Sequence, residues 1–132
     1  MPVPTHRKLG RLKRRADFLR VAGGKRKWVT PGLILQTLPC PAEGIEPTAR
    51  VGFTATRKIG GAVQRNRARR RLRAAAANLM PGHAAPDFDY VLIARAETPT
   101  RPYGALLADL ETALRKLGTW RDEPQTNREK MC

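Results

Sequence analysis

The chain has 132 residues, a length that suits one domain with one modest core. Its 26 Lys and Arg against 11 Asp and Glu give a formal net charge of +15, a self-repelling balance that binding to a polyanion relieves. Cys40 and Cys132 lack Cys-x-x-Cys spacing and a nearby histidine pair, so a zinc site has no support; no apolar run reaches membrane-spanning length, and no secretory-type apolar segment follows the basic N-terminus, so a reduced, cytoplasmic chain is expected.

Residues 1–10, MPVPTHRKLG, read as an irregular basic segment. A short helix is predicted over about Arg14–Ala22, where Phe18, Leu19 and Ala22 share a face and Gly23-Gly24 ends it. Residues 26–30 (RKWVT) and 32–38 (GLILQTL) read as strands, the second almost continuously apolar between Pro31 and Pro39. The stretch PCPAEGIEP, 39–47, is a Pro-rich loop. In ARVGFTAT, 49–56, alternation sends Val51, Phe53 and Ala55 to one side and Gly52, Thr54 and Thr56 to the other.

Residues 57–73, RKIGGAVQRNRARRRLR, hold eight Lys or Arg and no acid. Gly60-Gly61 opens this segment into a helix predicted to run to about Leu79 and to be closed by Met80-Pro81-Gly82. A helix start offers unpaired N–H groups and the positive end of the macrodipole, so cations concentrated there attract phosphate. A solvated helix face gains from Lys–Glu pairs at i,i+4, whereas the five arginines between positions 65 and 71 repel one another until a polyanion neutralises them. Ala68, Leu72, Ala75, Ala76 and Leu79 form a packing stripe. Arg67 and Arg70 point away from it, and Arg65 and Arg69 flank it. The first turns are therefore expected to overhang the sheet, with both flanks of the helix open to RNA.

FDYVLIARA, 88–96, reads as a central strand buried on both faces. The last helix spans about Pro102–Leu117 with Leu106, Leu107, Leu110, Ala113, Leu114 and Leu117 as its stripe, Pro102 in its first turn and Gly118 as its cap. From Thr119 the composition turns polar and is expected to fray. The organisation is an irregular N-terminus (1–10), one domain (11–118) and a polar tail (119–132). Helix, strands, helix, strand, helix is the order of an α+β fold, an about four-stranded sheet packed with three helices.

LKRRADFLRV at 12–21, RVGFTATRKIGGAVQRNRARRRLR at 50–73 and YVLIAR at 90–95 together resemble the bacterial ribonuclease P protein component, over about residues 9–118. The resemblance implies a compact fold with a left-handed βαβ crossover. It implies the small subunit of a ribonucleoprotein whose RNA hydrolyses the phosphodiester joining the 5′ leader to precursor tRNA. The implied partners are that catalytic RNA, at one protein per RNA, and precursor tRNA, with no membrane; the implied cofactor is Mg²⁺, held mainly by the RNA.

By matching, Arg65, Asn66 and Arg67 occupy the family's Arg-Asn-Arg motif, continued by Arg69, Arg70 and Arg73, and these are expected to contact the catalytic RNA. Arg11, Arg14, Phe18, Thr54, Thr56, Arg57 and Lys58 match the cleft that holds the single-stranded leader. Where the family often carries further aromatics, Ala22 and Gln36 stand here, so the cleft leans more on charge and shape. No residue of the chain is assigned a catalytic or metal-ligating role.

Two other readings start from the same composition. A nuclease cutting with its own side chains needs clustered carboxylates or a His pair, and Asp87 with Asp89 is the only close acid pair ahead of a strand. A ribosomal-type or chaperone-like RNA-binding protein with no role in cleavage shares the charge but not the strand-to-Arg-Asn-Arg register.

Overall fold

The computed structural model describes residues 9–39, 49–85 and 88–121; the predicted 39–47 loop beyond Pro39, both cysteines, Asp87 and the tail from 122 lie outside them. In chain order the elements are β1 (Gly10–Arg11), α1 (Arg15–Gly23), β2 (Lys27–Val29), β3 (Leu33–Pro39), β4 (Arg50–Thr54), α2 (Ala62–His83), β5 (Phe88–Ala94) and α3 (Tyr103–Lys116). A single 3-10 turn, Arg57–Ile59, joins β4 to α2. The strands form one mixed sheet in the order β1-β4-β5-β3-β2. β4 and β5 are parallel neighbours bridged by α2, whereas β5, β3 and β2 run antiparallel. The expected α+β architecture with three helices is present, and β5 is the central strand.

The period-2 alternation of the strands divides the molecule in two. Val51 and Phe53 of β4, Tyr90 and Leu92 of β5, and Leu33 and Leu35 of β3 face α2 and α3, whose Leu72, Ala75, Ala76, Leu106, Leu110 and Leu114 complete the main core. The other face carries a smaller cluster, Leu12, Val21 and Val91, with Phe18, Leu38 and Ile93 packed against it under α1. Gly52 belongs to this second face.

Four features differ from expectation. The sheet has five strands because Gly10–Arg11 joins its edge, Gly10 N–H donating to Ala49 at 2.8 Å and Leu12 N–H to Val51 at 3.1 Å. α2 runs through Pro81 to His83. Proline in the last turn loses only its bond to the carbonyl of Ala77 on the exposed side, and Ala84 N–H still donates to Met80 at 2.9 Å. α1 packs through Phe18 and Val21, leaving Leu19 58% exposed. The chain does not fray at Thr119: Ala85 N–H donates to Thr119 at 2.9 Å, and Trp120 stacks on His83 at 4.2 Å beneath the Arg115 guanidinium.

Candidate nucleic-acid interface

The entry to α2 is built by three local devices. Thr56 Oγ1 accepts the Lys58 N–H at 3.3 Å and caps the 3-10 turn, which leaves Arg57 and Lys58 exposed. Gly60 then adopts φ 141° and ψ −157°, a region only glycine occupies readily, and a Cβ there would press on Gln64 at 3.1 Å. Gly61 is the N-cap, with no side-chain cap and no acid in the first turn. The N–H groups ahead of Arg65, whose own N–H bonds Gly61 at 3.0 Å, have no intrahelical partner.

Around that start the matched residues spread over distinct flanks. Arg65 folds back to donate to the Gly60 carbonyl at 2.9 Å. Asn66 Oδ1 accepts from Arg69 at 2.7 Å on the exposed surface, and Arg70 is fully on the solvent side. Arg73 lies over the Phe53 ring at 5.6 Å. The expectation that both flanks stand open is corrected at Arg67 and Arg71. Arg67 Nε donates to the Pro99 carbonyl at 2.8 Å, and Arg71 donates to the Pro99 carbonyl at 3.4 Å and to that of Arg101. α3 packs alongside α2, so the turn that enters α3 offers its carbonyls to this flank.

On the opposite face α1 packs across β3 and β5 of the sheet. Phe18 lies against Gly52 so closely that a Cβ there would stand 2.5 Å from Cζ of the ring. Beyond Phe18 the sheet is uncovered: Val29, Ile34, Ile93 and Thr54 lie in register across β2, β3, β5 and β4, each half-buried or exposed. Arg57 and Lys58 follow at the end of β4, and Arg14 is exposed at the N-cap of α1. Thr56 lies beyond the strand at the 3-10 turn.

Arg11 is the exception among the residues matched to the cleft. It pairs with Val51 in the parallel ladder, so its side chain projects to the α2 side of the sheet, away from Phe18. It therefore shares a face with Arg73 and Phe53.

The sequence reading missed a buried ion cluster. Asp89, fully buried on β5, accepts from Arg50 of β4 at 2.8 and 2.7 Å and from Arg20 of α1. One acid on a central strand of a basic chain was its only trace. Among the described residues no three His, Cys, Asp or Glu side chains form a group able to hold a metal ion. The described residues thus assemble no site for Mg²⁺, and no step is routed through one. No helix among them is long and apolar enough to cross a membrane.

A profile of the family described as Ribonuclease P matches residues 7–118. The ribonuclease P protein component of Paramagnetospirillum magneticum is 54% identical over 112 residues, covering 84% of this chain and 84% of that protein. That of Caulobacter vibrioides is 49% identical over 112 residues, covering 85% and 73%. The fold is similar to that of the Staphylococcus aureus RNase P protein, with TM-score 0.69 and 24% identity over 86% of this chain and 100% of the other. It is also similar to the Thermotoga maritima RNase P protein, with TM-score 0.65 and 23% identity over 81% and 94%.

Proposed function

This chain belongs to the ribonuclease P protein family, and from that premise we propose that it is the protein subunit that helps a catalytic RNA remove the 5′ leader from precursor tRNA. The observation that carries the reading is the pair of surfaces on opposite sides of one sheet. The first half of α2 presents Arg65, Asn66, Arg69, Arg70 and Arg73 beyond the N–H groups of the helix start, and it suits the RNA subunit. The α1 cleft presents Phe18, Thr54, Arg57 and Lys58 beside an apolar floor, and it suits a single-stranded leader. Arg67, tied to the Pro99 carbonyl through Nε, belongs to the same surface.

Guanidinium groups that replace counterions on phosphate bind tightly at low salt and fix the register of the strand without reading its bases. The protein supplies position. Water activation and the Mg²⁺ that performs it belong to the RNA, one protein serves each RNA, and the particle works in the cytoplasm. The direct test is cleavage of precursor tRNA by the cognate catalytic RNA at limiting Mg²⁺, with and without this chain. Stimulation by the protein, with none from the protein alone, is the expected result; cleavage by the protein alone overturns the reading.

A further inference from the structure

The function proposed above leaves Asp89 without a task. Its carboxylate is fully buried on the central strand and faces α1. Arg50 approaches it edge-on, Nε to Oδ1 at 2.8 Å and Nη2 to Oδ2 at 2.7 Å, a bidentate pair that by itself satisfies much of a carboxylate. A second guanidinium nevertheless arrives from α1. Arg20 donates to Oδ2 and also reaches the Pro39 carbonyl at the end of β3 at 3.4 Å, while Asp17 stands 4.0 Å from Arg50.

α1 needs this tie because its apolar hold is slight. Val21 is the only buried residue of the helix, and Phe18 is half-buried. At about 100° per residue, Phe18 and Arg20 lie on the two flanks of the sheet-facing arc, with Val21 between them. One flank is pinned by a ring on Gly52, the other by a charge on Asp89. Gly52 is two residues along β4 from Arg50, about 7 Å, so both pins act on the same patch of sheet. A helix held at one flank alone is free to roll, and rolling moves the Phe18 ring.

We propose that Asp89 is a positioning residue: by drawing Arg20 onto the centre of the sheet it seats α1, and with it the Phe18 wall of the leader cleft. The inference rests on reading that cleft as the leader site. Asp89→Asn would leave guanidinium groups around a neutral buried amide and endanger the fold, so the test uses Arg20→Met, which retains the Arg50–Asp89 pair.

The experiment reconstitutes the full chain with its catalytic RNA and measures kcat/KM for precursor tRNA bearing a long leader and for one bearing a single-nucleotide leader. Arg20→Met is expected to reduce the long-to-short ratio on the order of tenfold, with RNA-subunit affinity unchanged and partial recovery in Arg20→Lys. Hydrogen exchange of α1 amides in the same variant is expected to quicken, with α2 unaltered. A full ratio in Arg20→Met, where Phe18→Ala loses it, overturns the proposal. If wild type and Phe18→Ala give equal ratios, the leader reading falls; faster α1 exchange in Arg20→Met then upholds the seating alone, and unchanged exchange overturns that too.

Discussion

Gly52 is the residue on which the cleft turns. Phe18 occupies the space of the side chain that Gly52 lacks, so Gly52→Ala must push the ring outward or lift α1. Overpacking of this kind costs about 1–3 kcal/mol, and the variant is expected to melt lower and to bind leader-bearing tRNA less well while holding the RNA subunit normally. Unchanged melting would show that the ring yields freely. Gly60→Ala tests the other entry: a Cβ at φ 141° costs on the order of 1–3 kcal/mol, read by denaturant titration. Phe18 is legible through the family resemblance, but its packing on Gly52 is not, because the partner lies on a strand 34 positions away. Arg11 shows the same limit more sharply. A strand of two residues offers no alternation to read, so only the ladder with Arg50 and Val51 reveals which way it points.

At the level of the element, α2 is one helix with two sets of arginines. Its stripe is readable from periodicity, and Ala68, Leu72, Ala75 and Ala76 are buried as expected. The division among its cations is not readable, since the carbonyls that engage Arg67 and Arg71 come from a turn about thirty residues later, beyond any local pattern. The two sets should respond differently. Arg65→Ala with Arg70→Ala is expected to weaken binding to the catalytic RNA and to flatten its log–log salt dependence by roughly 0.7–0.9 for each phosphate left unneutralised. Arg71→Met should leave that slope intact and instead lower stability, because the Pro99 and Arg101 carbonyls lose a charged donor worth about 1.5–3 kcal/mol. A reduced slope in Arg71→Met would move this residue into the RNA interface.

For the molecule as a whole, charge and topology pull in opposite directions. A net charge of +15 on 132 residues repels itself, so a polyanion that binds the folded form should raise the melting temperature, by linkage about 2.7 kcal/mol at a hundredfold excess over Kd. A neutral polymer at equal mass serves as the control, and an equal shift with it would assign the effect to crowding. The α+β class and the order of the long elements are legible because each carries its own periodicity; strand order, β1 and the pairing of Thr119–Arg121 with the end of α2 arise from neighbours distant in sequence. One strand joins the two surfaces. Val51 and Phe53 of β4 look toward α2, Gly52 and Thr54 toward the cleft, and both surfaces therefore share a single backbone of five residues. Such a strand can drift in composition on either side, yet it cannot change in length: one inserted residue would turn the Phe53 ring onto α1 and the glycine notch into the main core, exchanging the two faces of the sheet at a stroke.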